Sequence, residues 1–254
     1  MTFEVTPWMY PLLFLGGLLA GWVDAIAGGG GMVTIPLLLG IGLPPQMVLG
    51  TNKFQASFGS FTAARHYVRE GVVPLADARP GILFTLIGSA LGTLAVQQID
   101  PGILNVVIPF LLLGIAVYML LTPRLGTVQS HPRIPRMTFY ATVGFALGFY
   151  DGFFGPGVGS FWAMAFVLGL GFHLTRATGY TKVMNFASNV ISLIMFGFGG
   201  YILWLPGAVM AAGQILGARL GSGMVVKKGV QFIRPVFIVM VILTTLKLLS
   251  DRLF

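Results

Sequence analysis

Two greasy segments of this chain each carry an aspartate followed by backbone that a continuous helix does not tolerate. One reads GWVDAIAGGGGMVTIP from Gly21, the other GFYDGFFGPGVGSFWA from Gly148. The four glycines Gly28 to Gly31 each cost about 1 kcal/mol relative to Ala inside a helix. In the second segment, Pro156 between Gly155 and Gly157 cannot donate its backbone hydrogen bond. Only 9% of the residues are charged and 56% are hydrophobic, with a mean hydropathy of +0.89. A soluble domain carries roughly 25% charged residues, so this chain cannot cover a globule with polar groups and belongs in a bilayer. Broken backbone at membrane depth persists only where protein or a water-filled cavity satisfies the freed groups. Two such breaks therefore point to an internal site.

A spanning helix needs about 20 mostly apolar residues. Runs near 8–27, 80–98, 102–122, 137–154, 183–203, 205–226 and 230–249 meet this, and 45–66 is a less greasy eighth. The stretches 32–43 and 158–172 are apolar but short. None alternates between polar and apolar, which disfavours a transmembrane β-barrel. The expected fold is an all-α integral membrane protein of about eight long helices and two short segments. Each short segment would follow a break, making a broken helix or re-entrant segment. Met1 to Tyr10 contains Glu4 and no Lys or Arg, against the basic start of a cleaved signal peptide.

The two breaks belong to a repeat. Asp24 and Asp151 stand 127 positions apart, and GIGLPPQMVLGTNKFQA from Gly40 aligns with GLGFHLTRATGYTKVMN at an offset of 129. That alignment pairs Gly42 with Gly171, Gly50 with Gly179 and Lys53 with Lys182; further on, GSALGT from Gly88 matches GQILGA from Gly213. The expected organisation is a first transmembrane repeat over 1–123, a cytoplasmic linker over 124–136 and a second repeat over 137–254. Such repeats mark many transporter folds, and paired glycine or proline interruptions point to the substrate site. Basic residues favour the cytoplasmic side. Arg65, Arg69 and Arg79 surround the 65–79 connection while its counterpart near 200–205 has none; 96–102 has none while 219–234 holds Arg219, Lys227, Lys228 and Arg234. The basic loops swap sides between copies, as inverted repeats would.

Each feature has a structural reading beside a functional one. The glycines either break a helix, exposing N–H groups and a positive dipole end to an anion, or let helices pack closely, the natural reading for Gly88/Gly92 and Gly213/Gly217/Gly221. Gly29, Gly30 and Gly157 are the backbone candidates for an anion. Lys53 and Lys182, matched between copies, either converge on a midplane anion or snorkel from a helix end. Helical spacing puts Lys182, Asn185 and Asn189 on one stripe, with Lys53, Ser57 and Ser60 on another. Asp24 and Asp151 serve as proton relays, pair with Lys53 or Lys182, or cap the N–H groups of the break. A pair that opens when substrate or proton arrives would be a coupling device. Asn52, Thr51, Gln55, Thr181 and Tyr180 are further candidates.

Enzymatic chemistry finds little footing. The three histidines are scattered, no cysteine exists and no compact carboxylate cluster offers a metal site, so neither metal nor cofactor is expected. The net charge of +8 reflects topology and contact with anionic lipid rather than nucleic acid.

GWVDAIAGGGGMVTIPLLL, LGTNKFQASFGS, GFYDGFFGPGVGSF and ATGYTKVMNFASN resemble, in order and in both halves, the paired signatures of the TauE/SafE family of sulfite-exporter-like permeases. The resemblance implies a multi-pass protein of the bacterial inner membrane, with no enzymatic activity. It would be a secondary transporter or exporter of a small anion such as sulfite, a sulfonate or another organic anion, driven by the proton gradient or the membrane potential. The alternatives are an anion channel and a non-transporting membrane assembly factor. Faces of small residues permit a homodimer without requiring one.

Overall fold

Hydrocarbon offers the backbone no partner, so apolar runs satisfy their own amides as helices. The computed structural model describes residues 6–121 and 131–228, and those residues contain no strand. In order, they form α1 (Met9–Ala27), α2 (Gly31–Gly40), α3 (Pro45–Arg69), α4 (Leu75–Gln97) and α5 (Pro101–Leu121). A sixth helix, α6, spans 136–153 through one π-helical turn at Tyr140–Gly144; α7 (Val158–Leu170), α8 (Leu174–Phe198) and α9 (Trp204–Lys228) follow. The helix expected at 230–249 and residues 124–130 of the expected linker lie outside the described residues.

Among the described residues, Met9–Ile26, Leu75–Gln97 and Leu174–Phe198 are long and apolar enough to cross a membrane. This is fewer than expected, because length and composition part company in α3 and α9. Each has 25 residues. Yet α3 carries Gln46, Asn52, Lys53, Gln55, Ser57 and Ser60, all buried, and α9 carries Gln214, Arg219, Lys227 and Lys228. A second correction concerns α8, which begins at Leu174 and not near 183. The polar approach to Lys182 is itself helical, with His173 at the cap accepting from the Arg176 N–H. Lys182 is therefore held inside the helix.

Element bounds repeat along the chain. Helices α3 and α8 start 129 positions apart, as do α4 and α9; α1 and α6 start 127 apart. The left-handed turns at Gly71 and Gly200 share a φ of about 71–72°, again 129 apart.

Helices of the first half of the chain pack on helices of the second half. Gly17 and Gly21 of α1 press on the carbonyls of Met210 and Gln214, while Gly213 and Gly217 of α9 press on those of Phe14 and Leu18. Likewise Gly88 and Gly92 of α4 press on the carbonyls of Phe145 and Phe149 of α6, and Gly148 and Gly152 press back on Thr85 and Ser89. Small residues at four-residue spacing let these backbones touch. The packing equates Gly88 with Gly217, since Leu18 and Phe145 stand 127 apart, which moves the matched stretch GSALGT one helical turn along from Gly213. Helix α2 folds back on α1, bringing Leu37 against Gly16. The central pair, α3 and α8, touches where Asn189 Nδ2 donates to Ser60 Oγ at 3.4 Å. One buried apolar cluster gathers around Trp162, Phe166 and Tyr180, another around Ile35, Phe196 and Met210. Large apolar side chains such as Phe198 (91% exposed) and Leu205 (63%) cover the outside.

Candidate functional site

The site grows from the two breaks, which meet. Helix α1 stops at Ala27 because Gly28 turns left-handed (φ 76°), its N–H bonding back to the Asp24 carbonyl at 2.8 Å. Helix α6 stops at Phe153, and the chain turns through Gly155 (φ 100°) and Gly157 (φ 77°). A methyl group on Gly28 would overlap the backbone of Gly159, and one on Gly31 would lie 3.3 Å from the Pro156 ring. The Tyr150 hydroxyl donates to the Pro156 carbonyl at 2.7 Å and fixes the second break.

The matched lysines reach across between copies. Lys53 Nζ on α3 donates to Oδ1 and to the carbonyl of Asp151, both at 2.5 Å, with side chains 2% and 3% exposed. Lys182 Nζ on α8 donates to Asp24 Oδ2 at 3.1 Å, with exposures of 0% and 15%. Each ammonium thus answers the aspartate of the other half of the chain, at the C-terminal end of a broken helix where unpaired carbonyls and the negative dipole end lie. Neither lysine snorkels. Asp24 also caps the break, its Oδ1 accepting from the Gly30 N–H at 3.4 Å.

Between the breaks and the central helices lies a cavity of about 30 Å³, lined by Asp24, Gly28, Gly31, Asn52, Lys53, Ala56, Asp151, Gly155, Val158, Asn185 and Asn189. It has room for about two water molecules. Buried Asp151 Oδ2 and Asn185 Oδ1 lack hydrogen-bond partners among the described residues. Buried polar atoms of this kind call for water or a ligand.

Six candidates from the sequence line this cavity: Asp24, Asn52, Lys53, Asp151, Asn185 and Asn189. Lys182 stands behind Asp24. Asn52 is oriented by two donors to its Oδ1, Thr34 Oγ1 at 2.6 Å and Gln55 Nε2 at 2.9 Å. Thr51, Thr181, Gly29, Gly30 and Gly157 do not line it. Thr51 Oγ1 accepts from the Leu203 N–H at 3.0 Å, and Thr181 Oγ1 donates to the Ala177 carbonyl of its own helix. Tyr180 belongs to the aromatic cluster around Phe166 and Phe172. The expectation that the short helices present free N–H groups to an anion meets a difficulty. Met32 and Val33 already donate to the Gly29 and Gly30 carbonyls, and Val158 and Ser160 to those of Gly155 and Gly157.

Sequence reasoning missed Thr34 and a chain of buried hydroxyls behind Asp151. Thr93 Oγ1 donates to the Gly152 carbonyl at 3.1 Å and to Ser192 Oγ at 2.8 Å; Ser192 meets Ser89 and Ser188 meets Ser89, both at 2.8 Å. The available signal was the four-residue spacing of Ser89/Thr93 and Ser188/Ser192, which places each pair on one helix face.

The family model described as Sulfite exporter TauE/SafE matches residues 13–248. A Haemophilus influenzae protein named "Probable membrane transporter protein" is 48% identical over 241 residues, covering 95% of this chain and 94% of its own. "Probable membrane transporter protein YfcA" of Escherichia coli K12 is 43% identical over 249 residues, covering 98% and 93%. "Sulfite exporter TauE/SafE family protein 6" of Arabidopsis thaliana is 33% identical over 112 residues, 44% of this chain and 26% of that one. No solved structure matches.

Proposed function

Because this chain belongs to the Sulfite exporter TauE/SafE family, we propose that it is a multi-pass secondary transporter of small anions, such as sulfite or a sulfonate, in the bacterial inner membrane, coupled to protons. The observation that carries this reading is the pair of crossed Lys–Asp contacts around the central cavity. Ionisable side chains inside a membrane are costly and mark substrate or proton paths. Two ammoniums and two carboxylates sum to zero charge, so an anion enters only where a pair opens. A proton on an aspartate opens one, freeing an ammonium and its three donors for an oxyanion.

The two copies are read as inverted repeats with re-entrant hairpins. The equivalent turns at Gly71 and Gly200 support this: one ends α3, while the other, next to Tyr201, reaches the start of the same helix by way of Gly50. The fold-back of α2 along α1 supports the hairpin. Asp77 pairs with Arg136 at 3.3 Å and with Arg176 at 3.9 Å, gathering basic residues at one end, the expected cytoplasmic side. The expansion of so small a cavity to admit an organic anion fits alternating access around a fixed midplane site.

The test is uptake in proteoliposomes for sulfite, thiosulfate, sulfoacetate and small carboxylates, with wild type and the Lys53→Ala/Lys182→Ala variant. Wild type accumulates one anion class and the variant loses it while still inserting in the membrane. Full transport by the variant would remove the two-lysine site; a folded wild type silent toward every anion would remove the anion-transporter reading.

A further inference from the structure

The two Lys–Asp pairs occupy equivalent positions, yet their surroundings differ in chemistry. The end of α6 at Asp151 is tied down: Lys53 holds both the carboxylate and the carbonyl of Asp151, and the neighbouring Gly152 carbonyl accepts from Thr93. Thr93 leads into the fully buried chain of Ser192, Ser89 and Ser188. In the other copy, 129 positions away, Ser89, Ser188 and Ser192 are replaced by Ala218, Gly59 and Ala63. Ser222, the counterpart of Thr93, turns back to the Arg219 carbonyl at 3.4 Å. Asp24 is held more loosely, by one ammonium at 3.1 Å and one N–H at 3.4 Å, and its side chain is 15% exposed against 3% for Asp151.

The groups facing Asp24 are few. Helix α8 contributes Lys182; α3 contributes Lys53 across the cavity and Tyr67, whose hydroxyl donates to the Ala25 carbonyl at 3.3 Å; α6 contributes Asp151. Helices α2 and α7 carry no titratable side chain, and α9 meets α1 there with the uncharged Gln214. Among the described residues, Asp24 is the hydrogen-bond partner of the Lys182 ammonium.

We infer that the two carboxylates divide the work: Asp24 carries the coupling proton and Lys182 receives the anion, while Lys53–Asp151 stays paired as a strut. This rests on the transporter reading above. A fully buried ammonium left without a counter-charge is strongly unfavourable. When a proton from solution binds the Asp24 carboxylate, the neutral acid no longer answers Lys182, and an incoming anion does. Loading adds one proton and one negative charge, so the site's charge is unchanged for a monovalent anion. Proton and anion enter together and leave together, in the same direction.

The test follows anion uptake and internal acidification, read by trapped pyranine, in proteoliposomes given methanesulfonate, thiosulfate or sulfoacetate. Wild type acidifies the lumen in proportion to uptake. Whatever anion flux Asp24→Asn retains, at any rate, carries no acidification with it. Asp151→Asn, or Lys53→Met/Asp151→Asn if the single variant fails to insert, keeps the wild-type ratio of protons to anions whatever its rate. A second measurement needs no variant: anion binding to the detergent-solubilised wild type takes up about one proton per singly charged anion from weakly buffered solution. Acidification that survives Asp24→Asn, that disappears at Asp151 with uptake intact, or that runs as alkalinisation overturns the inference and leaves the transporter reading standing. A folded wild type that moves none of the anions removes both.

Discussion

The Lys53–Asp151 pair predicts that one substitution changes sign with its background. With side chains 2% and 3% exposed, neither partner can turn to bulk water when the other is removed. Replacing Lys53 with Met leaves a buried, uncompensated carboxylate, at a cost of about 3–5 kcal/mol. Replacing Asp151 with Asn alone leaves a buried ammonium and costs a similar amount, softened because Lys53 retains the Asp151 carbonyl as acceptor. Combined, the two leave a neutral amide short of a partner, at about 1–3 kcal/mol. Asp151→Asn should therefore destabilise the wild type yet stabilise Lys53→Met by about 2 kcal/mol, a change of sign well outside the additivity error of roughly 0.3–0.5 kcal/mol between independent sites. The assay is SDS-induced unfolding in mixed micelles, followed by tryptophan fluorescence, on all four proteins. Purely additive losses, or single variants that cost under about 1 kcal/mol as exposed ion pairs do, would refute the claim that this pair is a buried, coupled unit.

Two further outcomes follow from the breaks and turns. Gly28→Ala forces apart the backbones of Gly28 and Gly159, whereas Gly71→Ala meets nothing within 4 Å and carries only the left-handed penalty of about 1–2 kcal/mol. Size-exclusion profiles in detergent should show Gly28→Ala aggregated or lost and Gly71→Ala monodisperse; equal behaviour would mean that the breaks do not touch. The chain has no cysteine, so single cysteines at Gly71 and Gly200 report sidedness directly. A membrane-impermeant maleimide should label Gly200→Cys in intact cells and Gly71→Cys only after permeabilisation, and labelling of both from one side would refute inversion.

Much of the site was legible because it rests on local chemistry. Glycine and proline interrupt helices whatever surrounds them, so the stops at Ala27 and Phe153 follow from the sequence alone. Intramembrane Lys and Asp need partners, so Lys53, Lys182, Asp24 and Asp151 stand out at once. Which lysine meets which aspartate was not legible, since the partners lie 98 and 158 positions apart and nothing local chooses between them. The register of α9 against α4 was ambiguous for a different reason. Gly213, Gly217 and Gly221 repeat at one helical turn, so a four-residue slip preserves the glycine face and only the contacts with Leu18 and Phe145 resolve it. Hydropathy found α3 at 45–66 but placed the start of α8 too late, because the polar residues there face inward on other helices and not toward lipid. The hydroxyl chain hid because buried Ser and Thr in helices commonly bond their own preceding turn, as Ser57 and Thr181 do.

The crossing of the two ion pairs also ties the two halves of the chain to each other. Each half of this chain carries one aspartate and one lysine, and each of these side chains takes its partner from the other half. Two identical units facing each other would form both pairs at once, each lending its lysine to its twin. The arrangement inside this single polypeptide has the form of such a pair, visible in the matched turns at Gly71 and Gly200, and departs from it where Ser89, Ser188 and Ser192 have Ala218, Gly59 and Ala63 as counterparts. A substitution that removes a lysine or an aspartate in one half leaves its partner in the other half unpaired, so the two halves are constrained together.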